Sequence, residues 1–376
     1  MDSLRLTIET DLSRLNAQQW NALAGDQPFL QHAYLCAMHE TGCAAPDTGW
    51  APHYLALWRE GALAAAAPLY LKSHSRGEYV FDYAWADAFQ RHGMRYYPKL
   101  LSAIPFTPVT GPRLLAANDE DRATLVRGLV AFAEEIKVSS LHLLFPDDTD
   151  MRALRDAGFM IRESVQFHWT NPGYADFDAF LATMSHDKRK KIRQDQKKVA
   201  AAGLSYRWLR GADIGPAELE FFYDCYCRTY FHHGNPPYLN LEFFQRVHRE
   251  QADAFVLILA ERDGVPIAAA LNLAGGDALY GRYWGATEYV PGLHFETCYM
   301  QSIAYCIAHG YARFEGGAQG EHKMARGLLP TPTWSAHWVA HPGFAEAIQN
   351  FLDEETAAVT GYLDELEAHT PFKGGA

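Results

Sequence analysis

One segment of the sequence concentrates groups that could perform acid–base chemistry. It runs from Phe314 to Gly327 and reads FEGGAQGEHKMARG. Three glycines within five positions let its backbone turn sharply and approach a ligand closely. The groups that can donate, accept or exchange a proton are Glu315, Gln319, Glu321, His322, Lys323 and Arg326. We therefore predict a functional site here; the alternative is a solvated loop that follows an edge strand.

A second group of polar and aromatic side chains lies on a predicted strand and just after it. The strand contains YGRYWG at 280–285, and His294 and Glu296 follow. Since side chains alternate along a strand, its residues divide between two faces. The predicted faces are Tyr280, Arg282 and Trp284 on one side and Gly281, Tyr283 and Gly285 on the other. One face could line a substrate groove; the alternative is an amphipathic core strand with a snorkelling arginine.

A strongly cationic stretch precedes both groups. Ser185 is a suitable N-cap for a helix that ends at Gly203, and seven of the eleven residues 188–198 are basic. The whole chain carries a net charge of −12. We therefore predict that this helix binds an anionic group, such as a phosphate, a nucleotide, coenzyme A or an RNA acceptor end. The candidate residues are Lys188, Arg189, Lys191 and Arg193; the alternative is a solvated helix face.

The composition is that of an ordinary globular enzyme. Of 376 residues, 48% are hydrophobic and 21% are charged, which favours folded domains over disorder. Six cysteines show no paired framework, as expected for reduced thiols. The apolar run Leu63–Leu71 is too short to span a bilayer, and the N-terminus does not resemble a signal peptide. We expect a cytoplasmic protein.

Helical and strand-like segments alternate along the chain, which predicts an α/β fold of two related domains. The predicted domains are residues 1–160 and 161–376, with the functional site in the second. Each contains a predicted hairpin followed by a tryptophan, Trp85 or Trp284, and then by a glycine eight residues later. This repeated order suggests a duplicated unit, and it places Trp85 among the candidate substrate-binding residues.

Several familiar catalytic signatures do not occur in the sequence. There is no phosphate-binding G-x-x-x-x-G-K-[ST] loop, no G-x-S-x-G nucleophile elbow and no H-E-x-x-H zinc helix. His294 and Glu296 match the H-x-E of zinc deaminases, but no Pro-Cys-x-x-Cys follows them. We expect neither a metal centre nor a tightly bound cofactor.

Four of these segments together resemble a bacterial family, the peptidoglycan biosynthesis/recognition proteins, which stand among FemAB-like and GNAT-type N-acyltransferases. The segments are Ser185–Gly203, Gly281–Gly285, Leu293–Glu296 and Phe314–Lys323. The resemblance extends from about Leu30 to Phe351. It implies two tandem GNAT-like domains with mixed sheets flanked by helices, and an activity that forms amide bonds on a small-molecule or peptide amine.

The sequence does not identify the acyl donor. The resemblance implies acyl-coenzyme A or aminoacyl-tRNA, so coenzyme A and tRNA are expected partners. No Gln/Arg-x-x-Gly-x-Gly/Ala pyrophosphate loop precedes the helix that contains Cys298, which departs from ordinary acetyl-coenzyme A enzymes. The acceptor could belong to the cell wall or to natural-product assembly. The rival class is a non-catalytic module that recognises a peptide, a glycan or a carrier protein.

Amide formation needs a donor carbonyl close to a neutral amine, a proton acceptor and groups that stabilise the oxyanion. We predict Glu315, Glu321 or His322 as the base. The expected substrate-binding residues are Trp85, Lys188, Arg189, Lys191, Arg193, Arg282, Tyr283, Trp284, His294, Glu296, Gln319, Lys323 and Arg326. The prediction requires that the glycine-rich segment, the aromatic strand and the cationic helix face one cleft.

Overall fold

The computed structural model describes residues 4–318 and 320–373, which form two compact units. Unit one contains the chain up to Val165 together with Pro332–Tyr362, and unit two contains Gln166–Thr331 and the chain from Leu363. None of the described helices is both long and apolar enough to cross a membrane.

Unit one is built from short strands and from helices that cover them. Its elements are β1 (Leu4–Glu9), α1 (Ala17–Ala24), α2 (His32–Glu40), β2 (Trp50–Pro52), β3 (Tyr54–Arg59), β4 (Ala62–Ala67), β5 (Tyr70–Lys72), α3 (Tyr83–Arg91), β6 (Lys99–Ser102), β7 (Leu115–Ala116), α4 (Asp119–Glu135), β8 (Ser140–Leu144), α5 (Asp148–Asp156) and the first half of β9 (Met160–Thr170). Strands β1, β3, β4 and β7 form one sheet, while β8, β6, β5 and β2 are neighbours in another.

Unit two places the predicted site on a larger sheet. Its elements are α6 (Phe177–Thr183), α7 (His186–Ala201), β10 (Leu204–Arg210), α8 (Pro216–His232), α9 (Leu241–Glu250), β11 (Phe255–Arg262), β12 (Val265–Gly275), β13 (Ala278–Ala286), α10 (Leu293–Phe295), α11 (Gln301–His309) and β14 (Arg313–Glu315), followed by β15 (Leu329–Val339) and α12 (Pro342–Ala368), whose residues divide between the units. Its strand order is β10-β11-β12-β13-β14-β9, and only β13 and β14 pair in parallel.

The same sequence of pairings occurs in both units. In unit one, β5 and β6 are antiparallel, and β6 then pairs in parallel with β8, which follows α4. In unit two, β12 and β13 are antiparallel, and β13 pairs in parallel with β14, which follows α11. This repetition agrees with the duplication predicted from the order of the segments.

The predicted division at residue 160 differs from the observed units. Residues Ser335–Val339 of β15 pair with β8, and Pro332–Tyr362 belongs with unit one. The apolar run Leu63–Leu71 contains parts of two strands, β4 and β5, which belong to different sheets. Pro68 lies between them and has no amide hydrogen for a strand ladder, which explains the break.

Helices cover both faces of the unit-two sheet. On one face, the ring of Tyr283 packs against Tyr226 of α8 at 5.1 Å between centroids. On the other face, the Ser302 hydroxyl of α11 donates to Asn272 Oδ1 of β12 at 3.2 Å. Gly285 permits the closest approach, because a Cβ atom there would lie 1.9 Å from the carbonyl oxygen of Cys225.

This close approach predicts a large loss of stability in Gly285→Ala. A methyl group at 1.9 Å from a helix carbonyl must displace α8, which should cost more than about 3 kcal/mol in the free energy of unfolding. Gly361 in α12 is the control, because nothing lies within 4 Å of its Cβ position and alanine favours helix by about 1 kcal/mol. Urea denaturation would measure both, and an equal effect of the two changes would contradict the packing described.

Candidate functional site

The site begins where β13 and β14 separate. Their parallel pairing covers three positions only and ends at Tyr280 opposite Glu315. Beyond this point β13 continues to Ala286, whereas the segment that follows β14 leaves the sheet through Gly316 and Gly317. Gly316 has no room for a side chain, because a Cβ would lie 2.7 Å from Leu328 and 3.2 Å from the Tyr299 ring. The two strands therefore leave a wedge between them.

A β-bulge in β13 changes which of its side chains face this wedge. Leu271 pairs with Tyr283 while Asn272 pairs with Gly281, so Arg282 is the extra residue. The bulge shifts the alternation by one position. The prediction that Tyr280, Arg282 and Trp284 share one face, opposite Gly281, is therefore wrong: Trp284 and Gly281 both face the helix after β13.

A helix with a π turn covers the wedge. We call it the cavity helix: α10, the π-helix Glu296–Met300 and α11 form one continuous run. It begins after Gly292, whose φ of +88° is left-handed and suits glycine. The ring of His294 lies 4.7 Å from the ring of Trp284, and Cys298 and Tyr299 follow on the same side.

Two cavities meet at this helix. The inner cavity, of about 140 Å³, lies between β13, the start of the glycine-rich segment and the cavity helix, with Phe314 and Asn272 in its walls. The outer cavity, of about 600 Å³, lies between the end of α8 and residues 286–295. Trp284 and His294 line both cavities. A reactant in one could therefore meet a reactant in the other at these two side chains.

Lys323 is a buried charged group that bonds to one of the residues lining the inner cavity. It belongs to a 3₁₀ helix, Glu321–Arg326, and is only 2% exposed. Its Nζ donates to the carbonyl oxygen of Gly317 at 2.7 Å and lies 3.8 Å from the position of a Gly317 Cβ. Burial lowers the pKa of the Lys323 amine to about 8, so the amine is still largely cationic at pH 7. It can donate hydrogen bonds to a developing negative charge.

Glu315 does not line either cavity. Its neighbours Phe314 and Gly316 face the inner cavity, so strand alternation turns the carboxylate to the opposite side of the sheet. There Arg313 Nε donates to Glu315 Oε1 at 3.0 Å, and His168 Nε2 lies 3.8 Å from Oε2. Burial raises the pKa of Glu315 to about 7 and lowers that of His168 to about 3. The structure therefore does not bring Glu315 to the cavities as a base.

The other two predicted bases lie at the surface. Glu321 and His322 are both exposed at the start of the 3₁₀ helix. His322 Nε2 is 3.5 Å from the hydroxyl of Tyr299, which lines the inner cavity. Partial burial, followed by the charges of Lys323 and Arg326, lowers the pKa of His322. His322 is therefore linked to the inner cavity through Tyr299.

Arg326 and Glu296 do not line the cavities. They bind the cavity helix to neighbouring segments. The Arg326 guanidinium lies over the Phe295 ring at 3.6 Å and donates to the His322 carbonyl at 3.0 Å. Glu296 is buried, and its Oε1 accepts from Gln301 at 2.9 Å and from Gln196 of α7 at 3.4 Å. Both residues therefore fix the cavity helix against neighbouring segments.

The cationic helix is α7, and it lies beside the cavity helix. Asp195 of α7 is 4.0 Å from Arg326 Nη2, and its Cβ is 3.4 Å from the position of a Gly292 Cβ. Of the predicted anion-binding residues, Lys188, Lys191 and Arg193 are exposed and Arg189 is half-buried. Arg193 bonds to Asp178, and Lys191 lies 3.3 Å from Asp195. Within unit two, the glycine-rich segment, the aromatic strand and α7 all contact the cavity helix.

Two other predicted residues lie apart from this arrangement. Trp85 belongs to unit one, where it is buried in α3 with its ring 4.9 Å from that of His337. It therefore lies on a helix, whereas Trp284 lies on a strand, so the two tryptophans are not equivalent in position. Gln319 lies outside the described residues.

Five residues that line the inner cavity were not identified from the sequence: Ala270, Leu271, Asn272, Cys298 and Tyr299. Spacing on the cavity helix could have indicated Cys298, which is four residues after His294 and so on the same helix face. No sequence signal marked Ala270, Leu271 or Asn272, because all three lie within a segment typical of a core strand. Among the described residues, no group of three or more His, Cys, Asp or Glu side chains is arranged to hold a metal ion.

The environment of Glu315 makes a testable prediction about stability. A carboxyl group held at a pKa of about 7 in the folded protein, against 4.5 normally, contributes stability fully below pH 4.5 and loses it as the pH rises through 7. The free energy of unfolding of the wild type, relative to that of Glu315→Gln, should therefore fall by about 3 kcal/mol between pH 4.5 and 7.5. Denaturant titrations at each pH would measure this. A constant difference between the two proteins would contradict the burial of this group.

Comparisons with solved structures show proteins of similar fold. FemX is similar in fold, with a TM-score of 0.56 and 12% identity over 89% of this chain and 98% of that chain. L-PGS from Bacillus licheniformis has a TM-score of 0.56 and 10% identity over 91% and 96%. The C-terminal domain of a putative lysylphosphatidylglycerol synthetase from Agrobacterium fabrum has a TM-score of 0.55 and 11% identity over the same shares.

No protein of curated function matches the sequence. The fold is a pair of tandem GNAT-like domains, with mixed sheets flanked by helices, as predicted. The sequence matches the FemAB-like family, described as peptidoglycan biosynthesis/recognition, over residues 11–374. The chain therefore belongs to the FemAB-like family.

Proposed function

We propose that the protein is an N-acyltransferase or aminoacyltransferase that forms an amide bond on a small-molecule or peptide amine. The observation that carries this proposal is the buried amine of Lys323, which donates to the carbonyl oxygen of Gly317 in the lining of the inner cavity. Acyl transfer creates an oxyanion at the donor carbonyl, and a fixed cationic donor in a water-poor site stabilises that charge. The FemAB-like family supports an acceptor related to peptidoglycan.

The two cavities suggest where each substrate binds. The inner cavity is large enough only for the acyl end of the donor, whereas the outer cavity can hold an extended acceptor. The acceptor amine would then reach the donor carbonyl beside Trp284 and His294. This arrangement replaces an encounter in solution with a fixed approach, which can itself contribute several orders of magnitude in rate.

His294 is the best-placed group to accept the proton from the attacking amine. Burial, followed by the charges of His322 and Arg326, lowers the pKa of His294 to about 4, so its ring is neutral near pH 7. The ring is at the junction of the cavities, unlike Glu315, Glu321 and His322. In the reaction the amine nitrogen bonds to the carbonyl carbon, the bond from that carbon to the carrier breaks, and the proton passes to the leaving group.

The proposed reaction is a direct transfer without a covalent acyl-enzyme. Cys298 is the thiol that lines the inner cavity, and burial raises its pKa far above the usual range. A thiol that stays protonated is a poor nucleophile. The carrier of the acyl group is acyl-coenzyme A or aminoacyl-tRNA, and α7 would bind its phosphates.

Detection of amide products separates this proposal from a binding module. The protein would be incubated with amine-containing peptides and either acyl-coenzyme A or charged tRNA, and products would be identified by mass. A new amide that depends on Lys323 supports the proposal. Binding of peptides without any amide product from either donor would favour the binding module.

Deprotonation of Lys323 should determine how the reaction rate falls at alkaline pH. The rate should fall as the pH rises through about 8, because the neutral amine no longer stabilises the oxyanion. Lys323→Met should lower kcat by about 10²- to 10³-fold and should not lower the unfolding temperature, because a buried amine does not favour folding. Lys190→Met removes an exposed lysine as the control. A Lys323→Met protein with normal kcat would exclude the proposed role.

The role of α7 can be tested by paired charge removal. Replacing Lys188 and Arg189 with alanine should raise the apparent KM for the donor and reduce its dependence on salt. Replacing the exposed Lys190 and Lys197 removes the same charge as a control. Equal changes in both double variants would indicate that only the net charge matters, and that α7 has no specific docking face.

A further inference from the structure

The walls of the inner cavity differ from those expected for a donor that carries a positive charge. No carboxylate side chain lines this cavity in the described part of the chain. The two nearest acidic groups in sequence are engaged elsewhere: Glu315 bonds to Arg313 on the opposite face, and buried Glu296 accepts from two glutamines. A cation placed in this cavity would therefore meet no carboxylate among the lining residues that the structure describes.

The groups around the cavity are instead cationic or neutral. The Lys323 amine bonds to the carbonyl oxygen of Gly317, which lines the cavity, and Arg282 is itself a lining residue. The pKa of His294 agrees, because burial lowers it and the charges of His322, Arg326 and Lys323 lower it further. The outer cavity adds no free acid, since its lining residue Glu288 is 2.5 Å from the Arg262 guanidinium. A buried ammonium without a partner is strongly disfavoured.

The inner cavity is also small. Its volume of about 140 Å³ is close to the roughly 150 Å³ of an apolar cavity that accommodates benzene. It therefore has space for about six non-hydrogen atoms. Leu271, Phe314 and the Trp284 ring make most of its surface apolar.

From these observations we propose that the transferred group is a small acyl chain, of up to about six non-hydrogen atoms, that carries no ammonium. A free aminoacyl group, whose α-amine is cationic at neutral pH, would be rejected by the charge of the cavity. This inference rests on the proposed function, because it concerns the donor of that same reaction. It concerns the acyl group and applies to either carrier.

Two isosteric acyl groups test the proposal directly. Propionyl and glycyl have the same number of non-hydrogen atoms and differ in a methyl against an ammonium. Stable amide analogues of both would be prepared on two carriers, pantetheine and the 3′ position of adenosine, and their binding would be measured by calorimetry at pH 6 and pH 9. The adenosine series represents the end of a tRNA.

We expect the propionyl analogue to bind at least tenfold more tightly than the glycyl analogue at pH 6, on whichever carrier binds. The difference should shrink at pH 9, where the glycyl amine, with a pKa near 8, becomes neutral. Glycyl binding that equals or exceeds propionyl binding at pH 6 would overturn the inference while leaving amide formation intact. If neither carrier series binds and no amide forms, both the inference and the proposed function fail.

Two substitutions relate the selectivity to named residues. Asn272→Asp is isosteric and places a carboxylate in the cavity wall, so it should narrow or reverse the preference for propionyl. Cys298→Ala enlarges the cavity and should extend the accepted acyl chain by about one methylene. Cys306→Ala is its control, because Cys306 is buried on the same helix but does not line the cavity. Unchanged selectivity in both cavity variants, with folding retained, would contradict the assignment of the acyl group to this cavity.

Discussion

The site depends on the separation of two parallel strands. β13 and β14 pair at three positions, and the chain then leaves β14 through two glycines. If the pairing continued, the cavity helix would pack on a closed sheet and no wedge would form. The cavity helix covers the separation, and its residues line the inner cavity together with those of both strands. The chemistry proposed here therefore follows from a short interruption of one strand pair.

Lys323 illustrates the cost of such a site. Its amine is buried with one carbonyl as its described hydrogen-bond partner, although an ammonium has three donors. A structural lysine would be expected to form a closer ion pair, as Lys99 does with Glu78 at 2.7 Å in unit one. A buried charge with one such partner beside a cavity is better explained as a group that stabilises the negative charge formed during the reaction.

The sequence predicted the parts of the site more reliably than their orientation. The helix α7, the glycine-rich turn and the tandem arrangement were all predicted, because capping residues, glycine spacing and repeated order are local signals. Local signals do not reveal a β-bulge, which reversed the expected face of Gly281 relative to Trp284. The face of Glu315 depends on where β14 enters the sheet. The return of residues 332–362 to unit one depends on long-range strand pairing.

A structure of the protein with a stable donor analogue would test the central claim most directly. The account predicts that the acyl carbonyl lies in the inner cavity, between β13 and Gly317, with its oxygen within about 3 Å of Lys323 Nζ. It also predicts that the bond to the carrier is directed toward Trp284 and His294. An acyl group found outside this cavity, or with its carbonyl directed away from Lys323, would contradict the account.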